Sequence, residues 1–148
     1  MSVSQKCQYA LRAIFELAKQ HGEGPVKIAE VAEAQQIPMR FLEVILSELK
    51  QGEFVTSRRG SAGGYMLRRE PRQISVGEVI RFVEGPLGPV EVVRGEEKEC
   101  SVHEHCVFLP IWRRVREAVS EIYDSTTFEE LVEEEMRMRG DFVPNYNI

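Results

Sequence analysis

Residues 54–67 read Phe54-Val55-Thr56-Ser57-Arg58-Arg59-Gly60-Ser61-Ala62-Gly63-Gly64-Tyr65-Met66-Leu67. Two short β-prone runs, Phe54-Val55-Thr56-Ser57 and Gly64-Tyr65-Met66-Leu67, flank a tip of arginine and glycine, which predicts a hairpin. The glycines allow a sharp turn and bring backbone N–H groups near an anion such as phosphate. A hairpin with this tip is the form of a wing.

Upstream, three helices are predicted. Cys7, Ala10, Leu11, Ile14, Phe15 and Ala18 recur at three- and four-residue spacing, with Gln8, Arg12, Glu16 and Lys19 off the stripe. Ser4 suits the N-cap, and His21-Gly22 with Gly24-Pro25 ends the helix. A short second helix turns Ile28, Val31 and Ala32 inward and Lys27, Glu30 and Glu33 outward. Pro38 suits the first position of a third, where its missing N–H costs little. That helix buries Leu42, Ile45, Leu46 and Leu49 and turns Met39, Arg40, Glu43, Ser47 and Lys50 away, with Gly52 as its stop.

Downstream, Ser75 caps a helix over 75–84 carrying Val76, Val79, Ile80 and Val83. Pro86, Pro89 and the bordering Pro110, with an acidic run, make 85–109 a loop. A long helix follows at about 110–124, with Ile111, Val115, Ala118, Val119 and Ile122 on one face. Thr127, with Glu130 three residues on, begins a last acidic helix over 127–139. The expected fold is mainly α with a small β-hairpin, a winged helix-turn-helix over 1–84. A cysteine-bearing loop spans 85–109, and the long helix and acidic helix occupy 110–148.

Composition bounds the function. The chain has 148 residues, 43% hydrophobic and 29% charged, as in ordinary soluble domains. No apolar run reaches membrane-spanning length and no export signal opens the chain, so no membrane association and a cytoplasmic location are expected. Net charge is −5, but it is unevenly spread. Residues 1–84 hold 12 Lys and Arg against 10 Asp and Glu, and 85–148 hold 7 against 14. Within 50–72, Lys50, Arg58, Arg59, Arg68, Arg69 and Arg72 face only Glu53 and Glu70. Salt screening confines charge effects to about 8 Å, so this local patch outweighs the overall sign. No nucleophile–base pair, phosphate loop or HExxH metal motif occurs, and the glycines at 60–64 belong to a hairpin, so no enzyme is expected.

In a winged helix-turn-helix, the third helix enters the major groove of double-stranded DNA while the wing lies along phosphate or in the minor groove. The residues expected at DNA are Lys27, Pro38, Met39, Arg40, Glu43, Val44, Ser47, Lys50, Arg58, Arg59, Gly60, Ser61, Gly63, Gly64 and Tyr65.

Particular motifs carry a resemblance. Tyr9-Ala10-Leu11-Arg12, Phe41-Leu42-Glu43 and the wing Arg59-Gly60-Ser61-Ala62-Gly63-Gly64-Tyr65 are similar to those of the Rrf-type transcriptional regulators, a family that includes IscR, NsrR and CymR. So are Ile74-Ser75-Val76-Gly77-Glu78-Val79-Ile80, Glu84-Gly85-Pro86 and Asp124-Ser125-Thr126-Thr127-Phe128-Glu129-Glu130-Leu131. The resemblance covers most of 4–133. It implies a homodimer whose long helix pairs across a two-fold axis through Ile111, Val115, Val119 and Ile122, and a palindromic operator. Glu16-Leu17-Ala18-Lys19, His21-Gly22-Glu23-Gly24-Pro25 and the 85–92 stretch resemble the CymR branch, which governs cysteine metabolism and acts with a metabolic enzyme as corepressor. Glu129, Glu130, Glu133, Glu134 and Glu135 would be the docking surface for such a partner, or an ordinary solvated helix face. Val44, Met39 and Arg40 depart from the smaller or polar residues of many relatives, so the operator cannot be borrowed.

The resemblance also bears on the three cysteines. Cluster-binding relatives hold an iron–sulfur cluster with three cysteines in the loop; here Cys100 and Cys106 match two, and Arg94 stands where the first would lie. Gln8 replaces an acidic ligand found in some relatives. A cluster usually needs four ligands, and the remaining candidates are His103, His105 and Cys7 from the partner's first helix. Cys7 also falls in phase with the apolar stripe, as a core cysteine would. An iron–sulfur cluster, a thiol–disulfide switch, a zinc site and a loop without ligand function all stay open, the cofactor-free alternative being regulation through a protein partner.

Overall fold

Ser4 starts the first helix as expected: its Oγ accepts the Cys7 N–H at 3.1 Å, satisfying one of the free donors at the helix start. From there the computed structural model, which describes residues 2–87 and 107–140, runs through six α-helices and one hairpin. These are α1 (Gln5–Lys19), α2 (Ile28–Gln35), α3 (Met39–Gln51), β1 (Val55–Arg58), β2 (Gly64–Leu67), a 3-10 turn (Pro71–Gln73), α4 (Val76–Glu84), α5 (Leu109–Ser125) and α6 (Phe128–Arg139). The architecture is the expected winged helix-turn-helix with a long C-terminal helix.

One core lies under these elements. Ala10, Ala13, Ile14, Leu17 and Ala18 of α1 meet Val31 of α2, Leu42, Ile45, Leu46 and Leu49 of α3, Val55 and Leu67 of the hairpin and Val79 of α4. The α3 stripe is the one its spacing predicts. On α1 the stripe is rotated: Ala13 and Leu17 are buried while Leu11 and Phe15 are half-buried. Glu16, expected off the stripe, is only 5% exposed. Its carboxylate accepts Gln35 Nε2–H at 2.7 Å and lies 3.6 Å from Lys19 Nζ, so its burial is compensated by polar partners. Lys19 in turn reaches Glu135 at 3.1 Å, tying α1 to α6.

Small boundary differences have local causes. Pro38 is the N-cap of α3 rather than its first helical residue. β1 begins one residue later than its predicted run while β2 coincides with its own, pairing Val55 with Leu67 and Arg58 with Gly64. Gly52 ends α3 as expected, standing at its C-cap with φ −77°, and Glu53 after it takes positive φ, at 63°. Gly52 is required by packing: a Cβ there would lie 2.6 Å from the Phe82 ring. Val26 adds a single residue of third strand, exchanging two 2.8 Å backbone hydrogen bonds with Tyr65.

The C-terminal helices attach differently. Thr127 and Glu130 form the expected reciprocal cap of α6, whose Phe128 is 1% exposed in the core. Val76 N–H donates to Thr126 carbonyl and Phe128 N–H to Ile74 carbonyl, at 2.9 and 3.1 Å. Beside this joint, Arg81 Nη1 and Nη2 donate to both Asp124 carboxylate oxygens at 2.5 and 2.8 Å. Asp124 sits directly over Gly77, where a Cβ would collide with its carboxylate. The rest of α5 is uncovered: it has no buried residue.

Candidate nucleic-acid interface

The outward face of α3 is built by its own inward one. Leu42, Ile45, Leu46 and Leu49, three and four residues apart, anchor one face of the helix, so intervening positions such as Glu43, Val44 and Ser47 project from the other side. Met39, Arg40, Glu43, Val44, Ser47 and Lys50 are all exposed. Two of them are nonetheless held. The Arg40 guanidinium stacks on the Phe41 ring at 4.7 Å, and Lys50 Nζ donates to Ser57 Oγ of β1 at 2.6 Å, which fixes the wing to the end of α3. Val44, between them, is 55% exposed.

At the hairpin tip Arg58, Arg59, Gly60 and Ser61 are exposed, and Gly60 has φ 105°, a backbone region that favours glycine. The remaining wing positions shape the tip from inside. The expectation that the glycine N–H groups face phosphate fails at Gly63: it is buried, and its N–H donates to Gly60 carbonyl at 3.0 Å. A Cβ at Gly63 would strike the Arg58 carbonyl, and one at Gly64 the Val26 carbonyl. Tyr65 packs against the core with its N–H committed to Val26. Gly63, Gly64 and Tyr65 thus set the wing's shape, and the arginines supply its charge. Lys27 is the exposed N-cap residue of α2, and Pro38, also exposed, opens α3.

Cys7, also considered as a ligand, takes the core position that its phase in the apolar stripe predicts. It is fully buried within its own chain, and a second chain could only cover it further. Burial first, then the Glu84 carboxylate, to which the thiol hydrogen-bonds, pushes its pKa up to about 11. The described residues contain no group of three or more His, Cys, Asp or Glu arranged to hold a metal ion. Cys100, Cys106, His103 and His105 lie outside the described residues, as does most of the 85–109 loop.

On α5, Ile111, Val115 and Ile122 are exposed at 48%, 36% and 63%, and Val119 is half-buried. The acidic helix α6 uses much of its charge internally: Glu130 caps the helix, Glu134 pairs with Arg137, and Glu135 pairs with Lys19 and Arg139. Glu129 and Glu133 are exposed. No helix among the described residues is long and apolar enough to cross a membrane.

Comparison with known proteins agrees with this geometry. Residues 3–134 match the Rrf2 family, described as an iron-dependent transcriptional regulator. The HTH-type transcriptional regulator CymR of Bacillus subtilis (strain 168) is 42% identical over 131 residues, 88% of this chain and 89% of the relative. The solved structure of that CymR, described as the global cysteine regulator of B. subtilis, superposes with a TM-score of 0.75 at 40% identity, covering 90% of this chain and 98% of that one. The structure of T. potens IscR superposes with a TM-score of 0.77 at 32% identity, covering 99% and 95%. The chain thus belongs to the Rrf2 family of transcriptional regulators.

Proposed function

We propose that the protein is a homodimeric, sequence-specific DNA-binding regulator that grips a palindromic operator with two copies of the α3–wing unit. The observation that carries this is the pairing of two uncovered surfaces, the outward stripe of α3 and the apolar face of α5. In this reading α3 enters the major groove with Met39, Arg40, Glu43, Val44 and Ser47 towards base edges. Arg58 and Arg59 lie on phosphate or in the adjacent minor groove, and Lys27 and Lys50 border the backbone. Ile111, Val115, Val119 and Ile122 of two chains close against each other. Sedimentation gives the assembly, and selection from random duplexes gives the operator. A wild-type monomer at micromolar concentration, or no enriched sequence, would overturn this reading.

For the signal, we infer that Cys100 and Cys106 form a thiol-based sensor of iron–sulfur, redox or cysteine status. With Cys7 committed to the core, they are the only other cysteines in the sequence. The description of B. subtilis CymR as a global cysteine regulator and the iron-dependent description of the family support a thiol or iron signal. A visible spectrum and iron analysis of anaerobically purified protein separate the cases. Bound iron with visible absorbance identifies a cluster held by Cys100 and Cys106, with His103 and His105 as further ligands. Colourless protein whose DNA affinity changes when Cys100 and Cys106 are oxidised to a disulfide identifies a dithiol switch. Colourless protein insensitive to oxidation would remove the sensor and leave regulation through a protein partner, such as a cysteine-biosynthesis enzyme.

A further inference from the structure

We propose that Val44 reads the 5-methyl group of a pyrimidine, that of thymine, in each half of the operator. The inference rests on the major-groove placement of α3 and deepens it. Residues 40, 43, 44 and 47 share one face of α3 by their three- and four-residue spacing. Val44 occupies the middle of that face and is 55% exposed, a branched hydrocarbon with over half its surface in water.

The cations on this helix that would otherwise dominate base readout are engaged within the chain. The Arg40 guanidinium lies over the Phe41 ring, 4.7 Å from its centroid, and Lys50 is bound to Ser57 at 2.6 Å. Phe41 is itself braced by Tyr9, with ring centroids 6.3 Å apart. The stripe therefore centres on Glu43 and the hydrocarbon of Val44, with no free cation beside them on this helix to claim a base edge. In the major groove the only apolar group on a base-pair edge is the C5 methyl of thymine, or of cytosine when that base is methylated. Placing Val44 against any other edge would desolvate a hydrogen-bonding base atom with no partner. Charge complementarity fixes the class of ligand: the arginine tip beside α3 suits a polyanion, and the valine suits a methyl within it.

The test uses the full-length protein. Random duplex pools copied with either thymidine or deoxyuridine triphosphate are put through selection, and each thymine of the selected site is then replaced singly by deoxyuridine, which lacks only the methyl. Removing the methyl at one position per half-site should weaken wild-type binding by about fourfold, the value of one buried methyl-sized group. Val44→Ala should bind the thymine and uracil duplexes equally. Alanine is the better helix former, so this surface variant keeps its fold.

Binding indifferent to every deoxyuridine, or a methyl preference undiminished in Val44→Ala, would sink the inference while leaving DNA recognition standing. A gain on methylating a cytosine of the site, with no loss on deoxyuridine substitution, would overturn the thymine assignment and transfer the contact to 5-methylcytosine. If neither pool yields an enriched sequence, the regulator reading itself fails and takes this inference with it.

Discussion

Helices α4 and α5 both carry an apolar stripe, yet they meet opposite fates. In α4, Val79 is fully buried and Ile80 is 3% exposed, because α1 lies across them. In α5 no residue is buried, and Ile122 is 63% exposed. Among the described residues exposed apolar side chains remain on α5 (Ile111, Val115, Ile122), on α3 (Met39, Phe41, Val44), at Phe82 of α4 and at Met136 and Met138 of α6. Single exposed residues need no partner, whereas a run along one helix face, as on α5, is the kind of surface that meets something outside the chain.

The most severe way to break this contrast is Val115→Asp. A carboxylate in a face that pairs with its own copy must be buried without a partner, so the dimer's dissociation constant should rise on the order of 100-fold or more. Sedimentation checks it, and an unchanged dimer would show that α5 closes against something else. The same substitution in a self-contained core leaves the monomer's unfolding unchanged, which circular dichroism reads.

The covered side of the comparison is sharpened through Cys7. Its pKa of about 11 in the folded chain exceeds the ordinary thiol value of 9.0, so the unfolded chain releases that proton first. Stability from this group is therefore complete below pH 9 and is lost as the pH rises towards 11, on the order of 2 kcal/mol in all. Cys7→Ala should flatten that part of the stability–pH curve, measured by urea unfolding of the two proteins side by side. Equal slopes would mean that the thiol is not sealed in the core.

At the wing, Arg59→Ala should make the salt dependence of DNA binding shallower by about one unit, as for one lost phosphate contact. A salt titration with unchanged slope would move the wing tip out of the interface. The smallest effect is expected at the joint between the two regions. Asp124→Asn removes the charge that Arg81 holds with two hydrogen bonds, a contact that keeps the Asp124 carboxyl below its ordinary pKa. Because the pair is half in solvent, the loss of stability should stay under ~1 kcal/mol at neutral pH. It should vanish as the pH falls through the carboxylate range, where wild type loses the same contact. A loss above that in thermal unfolding would make the ion pair, rather than the backbone bonds around Ile74 and Thr126, the main fastening of α5.

The wing and α3 were legible in the residues because local rules decide them. Periodic leucine and isoleucine fix which side of α3 is buried, and an arginine–glycine tip between β-prone runs makes a hairpin whatever surrounds it. Ser4, Ser75 and Thr127 act as caps for the same reason, their hydrogen bonds spanning three residues. The burial of Glu16 is not legible locally, because Gln35 of α2 and, through the neighbouring Lys19, Glu135 of α6 meet it only in three dimensions.

The sequence by itself determined what each segment is: helix, strand, cap and basic tip, all set by contacts within a few residues. Tertiary structure alone decided what each surface is for. It made the helix stop Gly52 also a seat for Phe82, gave Gly63 and Tyr65 to the wing's interior, and sealed Cys7 against Glu84. Whether a side chain meets solvent, core or ligand depends on segments far apart in the chain, and only folding brings those together.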